Sequence, residues 1–144
     1  IIDDFEEMAI IGGTHRNSVK LLAIVVLGFC CSLVFGGHGP RTDPSEVNAL
    51  GSIRGSLIDP YRNLANWDKG DPCTSNWTGL ICYNTTLQDG YFHVRQILLL
   101  NRNLSGILSP ALGNLSYLEI MDFMWNDING TIPKEIGNIT TLQL

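Results

Sequence analysis

VRQILLLNRNLSGILSPALGNLSY, residues 94–117, runs directly into LEIMDFMWNDINGTIPKEIGNITT, residues 118–141, and the second stretch repeats the first at a spacing of 24. Leu104 returns as Ile128, Gly106 as Gly130, Leu108 as Ile132, Gly113-Asn114-Leu115 as Gly137-Asn138-Ile139, and Leu118 as Leu142. A fixed period of this size describes a stacked solenoid, because one unit is too small to bury its apolar face and its neighbour supplies the missing core. Such a chain offers a surface for binding rather than a cleft for chemistry.

Within the second unit Leu118, Met121 and Phe123 alternate as a strand does and point inward, and Asn126 falls where a buried amide bonds the backbone of a turn. Ile128, Ile132, Ile136 and Ile139 complete the expected core. Gly130 lets the chain bend, and Pro133 sits where no ladder donor is required. Val94, Ile97, Leu99, Leu104, Leu108, Leu112 and Leu115 take the same parts in the first unit. There Arg102 replaces Asn126 and Ser109 replaces Pro133, so the first unit is expected to lack its full hydrogen-bonded ladder. The alternate strand positions form a candidate concave binding face: Gln96, Leu98, Leu100 and Asn101 in one unit, Ile120, Asp122, Met124 and Trp125 in the next. Trp125 has two readings. The first expectation is that it packs sideways on the neighbouring repeat; the other is that it anchors an interface.

Upstream of the repeats, Thr42-Asp43-Pro44-Ser45-Glu46 reads as a helix start. Asp43 accepts from free amides, Pro44 fits the first turn and Glu46 suits the positive end of the dipole. Val47, Leu50, Ile53, Leu57 and Ile58 form one apolar stripe, which Asp59-Pro60 ends. Trp67, Asp71-Pro72-Cys73, Trp77, Gly79 and Cys82 follow in an irregular segment that reads as a cap on the solenoid.

The N-terminal third has a different character. Leu21 to Phe35 is apolar except for Gly28 and Ser32, with Arg16 and Lys20 before it and Gly36-Gly37-His38-Gly39-Pro40 after it. This is the layout of a secretory signal peptide, and at about 15 residues it is short of the roughly 20 that span a bilayer core. The expectation is cleavage near Gly36, after translation from Met8, with an uncleaved anchor as the rival. Cys30 and Cys31 leave with that segment, so Cys73 and Cys82 remain and suggest one disulfide in an oxidising compartment. A zinc site is the competing reading, short of ligands because only His38 and His93 accompany them. From Pro40 onward seven basic and ten acidic side chains leave a net charge of −3, which offers no basic face for nucleic acid.

Asn76, Asn84, Asn103, Asn114, Asn129 and Asn138 each open an N-glycosylation sequon. Half or more are expected to carry sugar and to keep one flank free of partners. Motifs for catalysis are not found: no phosphate-binding glycine loop, no kinase signature and no nucleophile elbow occur. Asp122-Phe123-Met124 lacks the glycine of a kinase metal-binding triplet and falls in a repeat strand. His93 reads as a surface or capping side chain. The chain is not expected to be an enzyme, and no cofactor or metal is expected.

The order of helix, Trp67, Asp71-Pro72-Cys73, Trp77-Thr78-Gly79-Leu80-Ile81-Cys82 and 24-residue repeats resembles the N-terminal cap and first repeats of plant leucine-rich repeat receptor-like serine/threonine kinases. Asn103-Leu104-Ser105-Gly106 and Gly130-Thr131-Ile132-Pro133-Lys134-Glu135-Ile136-Gly137-Asn138 strengthen the likeness, which covers about Asp43 to Leu144. The resemblance implies an α/β leucine-rich repeat solenoid, with short parallel strands and a 3-10 or irregular convex side, behind a helical, disulfide-stapled N-terminal cap. The expected organisation is leader and signal peptide 1–36, linker 37–42, cap 43–93, repeats 94–117 and 118–141, and the start of a third at 142–144. The implied role is extracellular recognition of a peptide, a cell-wall component or a co-receptor ectodomain at the plasma membrane. Membrane attachment and the kinase would come from downstream sequence. A secreted inhibitor of cell-wall-degrading enzymes, acting in the apoplast, is the second reading, and a gene fragment without function the third.

Cys73→Ala is expected to loosen the cap by about 2–4 kcal/mol and to trap the protein during secretion. Normal secretion of that variant would count against the bridge.

Overall fold

The computed structural model describes residues 39–143. The leader, the apolar stretch and the cleavage point near Gly36 lie outside them. Helix α1 runs over Pro44–Ser56, and the Asp43 carboxylate caps it by accepting the amides of Ser45 at 2.8 Å and Glu46 at 3.2 Å. Its buried face comprises Glu46, Ala49, Leu50 and Ile53, while Val47 is only half-buried. The apolar stripe stops short of Ile58, which is 63% exposed. After Ser56 the chain extends into β1, Leu57–Ile58. Side chains of an extended segment alternate, so Leu57 faces the core and Ile58 faces water.

Below the helix the cap is built on two indoles. Trp67 and Trp77 stack with ring centroids 5.7 Å apart. Each indole N–H donates to a backbone carbonyl at 2.9 Å, Trp67 to Thr78 and Trp77 to Lys69, so neither ring is buried with an unpaired donor. A disulfide joins Cys73 to Cys82 at the end of β2, Leu80–Cys82. The Asp71 carboxylate accepts from the amide and hydroxyl of Thr42, at 2.8 and 2.7 Å, and from the Cys73 amide at 3.0 Å. Those bonds tie the start of the described chain to the bridged turn.

Two three-stranded sheets follow. In the first, β3 (Val94–Leu98) lies between β2, antiparallel, and β5 (Ile120–Asp122), parallel. In the second, β4 (Ser105–Ile107) lies between β1, antiparallel, and β6 (Asp127–Asn129), parallel. The cap therefore pairs with one edge of each sheet. Only the parallel pairs are legible in the 24-residue period. The second sheet demands glycine at 106: φ is 103° there, and a Cβ would stand 2.4 Å from the Ser56 carbonyl oxygen across the β1–β4 pair.

On the opposite side the chain forms 3-10 helices, Pro110–Asn114 and Lys134–Asn138, that pack on each other, with α1 against the first. At Gly113 the approach is close enough that a Cβ would lie 2.4 Å from the Glu135 carbonyl oxygen. Ser109 does not weaken this side. It is buried, and its hydroxyl accepts the Ala111 amide at 3.2 Å, so it caps the first 3-10 helix where Pro133 opens the second without a side-chain bond.

Leu99, Leu104, Leu112, Leu115 and Leu118 are fully enclosed in a core continuous with Leu50, Ile53 and Leu64 of the cap. Ile128 and Ile136 are partly buried against it, and Ile139 is inside. Ile132 departs from the expected core: it is 77% exposed, because no described segment covers it as the second unit covers Leu108. Asn126 joins the two repeats. Its Nδ2 donates to the carbonyls of Leu99 at 2.7 Å and Phe123 at 2.9 Å, and its Oδ1 accepts the amides of Arg102 and Leu104, both at 3.0 Å. Arg102, at the matching place one period earlier, has an exposed side chain, and the cap compensates through Asn63 Nδ2, which donates to the Arg102 carbonyl at 2.8 Å.

Asn126→Ala removes these bonds together and leaves partly enclosed backbone groups unpaired, so it should cost about 3 kcal/mol. Urea unfolding with an unchanged slope would read that loss directly.

Candidate functional site

The residues assigned to the concave face fall on the first sheet and its exits. Gln96 and Ile120 are paired across β3 and β5, as are Leu98 and Asp122. The cap lengthens this face in a way the repeat pattern does not reveal. Antiparallel β2 places Ile81 opposite Gln96, so Ile81, Gln96 and Ile120 form one row across three strands, with both isoleucines exposed. Its signal lay in Leu80-Ile81-Cys82, an apolar run ahead of the first repeat, but a three-residue strand is too short to stand out by periodicity.

At the other end of the strands the face is more apolar. Leu100 is exposed, Met124 is 64% exposed and Trp125 is 78% exposed, with Asn101 beside them in the sequence pattern. Among the described residues, no neighbouring repeat covers Trp125. The Asp122 carboxylate accepts the Met124 amide at 2.9 Å and shapes the turn that presents the tryptophan. Together these side chains make an apolar strip with polar neighbours, the composition of a contact surface rather than of a reaction centre. Among the described residues no group of His, Cys, Asp and Glu is placed to hold a metal ion.

One flank of the sheet is fixed by charge. Arg95 Nε donates to Glu119 at 2.7 Å, the Tyr83 hydroxyl donates to the same carboxylate at 2.8 Å, and the Arg95 guanidinium lies 5.7 Å from the Tyr83 ring centre. Arg95, and then Tyr83, hold the Glu119 carboxyl below its ordinary range. These groups satisfy one another. Asn76, Asn84, Asn103, Asn114, Asn129 and Asn138 are all exposed and none belongs to the concave rows; Asn114 and Asn138 end the two 3-10 helices on the opposite side.

His93 is neither on the surface nor near the concave strip. It is 3% exposed, with Nδ1 3.0 Å from Glu46 Oε1, Nε2 2.8 Å from Asp89 Oδ2, and its ring 4.1 Å from that of Tyr117. The other Glu46 oxygen accepts the Val94 amide at 2.8 Å. Glu46 therefore spends its carboxylate on the entry to the first repeat, in addition to sitting in the first turn of α1. Burial opposes a charge on His93, yet the bonds to Glu46 and Asp89 outweigh it and raise the imidazole above its ordinary pKa of 6.5. Burial raises Glu46 as well, against the pull of Val94 and His93. The arrangement is a clasp between cap and repeat, without an opening for a substrate.

Comparison with known proteins agrees with this geometry. Residues 43–83 match the leucine rich repeat N-terminal domain. Over 79 residues the chain is 62% identical to a putative leucine-rich repeat receptor-like serine/threonine-protein kinase of Arabidopsis thaliana, a match that covers 55% of this chain and 8% of that relative. Among solved structures, the PEPR1–AtPEP1 complex superposes with a TM-score of 0.58 at 29% identity, over 68% of this chain and 13% of that one. The Arabidopsis receptor kinase HAESA ectodomain, in complex with an N-terminally extended IDA peptide hormone ligand, superposes with a TM-score of 0.55 at 25% identity, over 67% of this chain and 15% of that one. The chain spans a small part of the length of each of these proteins.

Because His93 holds its proton more tightly folded than unfolded, the stability this adds is complete below about pH 6.5 and is lost as pH rises through the raised value. Thermal melts of the wild type should therefore fall from mildly acidic to mildly alkaline pH, and His93→Gln should flatten that slope.

Proposed function

The chain belongs to the plant leucine-rich repeat receptor-like kinases, as the N-terminal part of an ectodomain, and on that premise we propose that its concave sheet is a contact surface for an extracellular peptide or a co-receptor ectodomain. The observation that supports this reading is the division of the surface. The apolar strip of Ile81, Leu100, Ile120, Met124 and Trp125 is left bare, while all six sequons lie off its rows. A sugar on the strip would block contact, whereas sugars on the convex side and the second sheet leave it open.

In this reading residues 1–36 direct the chain into the secretory pathway and are removed, residues 43–93 cap the solenoid, and residues 94–117 and 118–141 are its first two repeats. The clasp and the disulfide keep the cap rigid, so that Ile81 stays in register with Gln96 and Ile120. The membrane span and the serine/threonine kinase belong to sequence beyond this chain, and binding outside is passed inward through them. The work of the residues present is recognition.

Leu100→Glu and Met124→Glu should leave secretion and Tm unchanged, since both side chains are already in water, and should weaken binding at least tenfold on a biosensor carrying a panel of plant peptide hormones and receptor ectodomains. Mass spectrometry of the secreted chain should find sugar on at least half of the six asparagines. Unaltered binding by both variants would remove the concave face from the account.

A further inference from the structure

Asn76 opens the sequon Asn76-Trp77-Thr78, and it alone of the six lies between the bridged cysteines, Cys73 and Cys82. Its side chain is exposed, so exposure by itself would admit a sugar there. The rest of the tripeptide is held. Asn66 reaches both of its ends: Nδ2 donates to the Asn76 carbonyl at 3.1 Å, and Oδ1 accepts the Thr78 amide at 3.2 Å and the Thr78 hydroxyl at 3.0 Å. Between those ends Trp77 is buried and stacked on Trp67, whose indole N–H donates to the Thr78 carbonyl. Next in the chain, Gly79 stands so close to β3 that a Cβ would lie 2.5 Å from the Leu98 carbonyl oxygen. The tripeptide is thus a packed part of the cap and not a free loop.

Sugar transfer joins the Asn76 amide nitrogen to C1 of a lipid-diphosphate-linked oligosaccharide; the nitrogen gives up one proton, the bond from C1 to the diphosphate oxygen breaks, and the lipid diphosphate leaves. The transferring enzyme must read that amide together with the hydroxyl two residues on. In the closed cap the hydroxyl is already committed to Asn66, and of the six sequon hydroxyls only that of Thr78 makes a hydrogen bond among the described residues. Asn84-Thr85-Thr86, just past Cys82, is the contrast: its central residue is exposed and its hydroxyl is free of such a bond. Cys82 trails Asn76 by only six residues, so both cysteines are in place when Asn76 is presented, and a loop this short closes at small entropic cost. Resting on the reading that the chain enters the secretory pathway, we propose that closure of the Cys73–Cys82 bridge withdraws Asn76 from glycosylation and leaves it bare, whereas Asn84 accepts sugar whether or not the bridge forms.

The test expresses the full chain in plant cells and measures occupancy at each sequon by glycopeptide mass spectrometry, on retained and secreted chains together so that a folding defect does not hide the result. The wild type should carry sugar on Asn84 and little on Asn76. Dithiothreitol during synthesis, or the paired change Cys73→Ser and Cys82→Ser, should raise Asn76 occupancy severalfold and leave Asn84 where it was. Asn66→Ala, which frees the Thr78 hydroxyl while both cysteines remain, should raise Asn76 as well. Sugar on Asn76 in most wild-type chains, bare Asn84 in the wild type, Asn76 occupancy indifferent to the bridge or to Asn66, or a rise at Asn84 that matches the one at Asn76 would each overturn the proposal. The two levels separate cleanly. Sugar on the other sequons with Asn76 indifferent to the bridge sinks this inference and leaves the secretory reading standing; sugar on none of the six, in any variant, sinks both.

Discussion

The stacking of the repeats depends on one part-buried amide, the side chain of Asn126. A solenoid repeat has too little apolar area to hold its own turns closed, and its strand exits leave carbonyls and amides that no ladder partner reaches. Asn126 meets both needs by donating to Leu99 and Phe123 and accepting from Arg102 and Leu104. Leu99 lies at the preceding repeat's strand exit, Arg102 and Leu104 at the turn that follows it, and Phe123 at the strand exit of its own repeat, so the side chain sets the stacking distance as well as the local bend. With that spacing fixed, Leu99, Leu104, Leu112, Leu115 and Leu118 interlock into one enclosed layer. At the other boundary the same problem is solved by different chemistry. Asn63, the Glu46–His93–Asp89 clasp and two antiparallel strands of the cap do there what Asn126 does between repeats.

That contrast explains which features were legible in the sequence. The solenoid, its inward leucines and the concave positions follow from repetition, since a pattern seen twice fixes its own register. The Asp43-Pro44 helix start was equally plain, because capping is local. What escaped were contacts that occur once. Ile81 joins the concave rows only because β2 folds back on β3, and three residues carry no period. His93 reads in sequence as a surface or capping side chain; the capping role holds, but a lone histidine gives no sign of the two carboxylates, 47 and 4 residues away, that converge on it and bury it. Ile58 and Ile132 count as core by their apolarity and spacing, but one lies in strand alternation rather than on the helix and the other has no covering segment among the described residues. Trp125 is the reverse case: its apolarity argues for packing, yet its backbone is left-handed and, among the described residues, its side chain is 78% exposed.

The distribution of charge also separates the structural from the recognitional parts of the molecule. Several charges near the cap are satisfied within the fold: Asp71 by Thr42 and the bridged turn, Glu46 and Asp89 by His93, and Glu119 by Arg95 and Tyr83. Such groups stabilise particular contacts and have little left to offer a partner. Towards the strand exits, Asp122 and Asp127 have no ion-pair partner among the described residues.

The close approach at Gly113 has a consequence for the architecture of any longer array. Its backbone is ordinary, so glycine is demanded there by proximity to Glu135 and not by torsion. Gly137 repeats the position one period on, with open space around it. Parallel strands fix the pitch of the inner side at the hydrogen-bonding distance, about 4.8 Å per repeat. At Gly113 the absence of a side chain lets the two 3-10 helices come close, which shortens the step on the outer side. The nearer the outer step comes to the inner one, the more gently such an array bends. A methyl group at each such glycine would act as a wedge and steepen the curvature at every repeat, so the smallest residue in the period governs the radius of the whole.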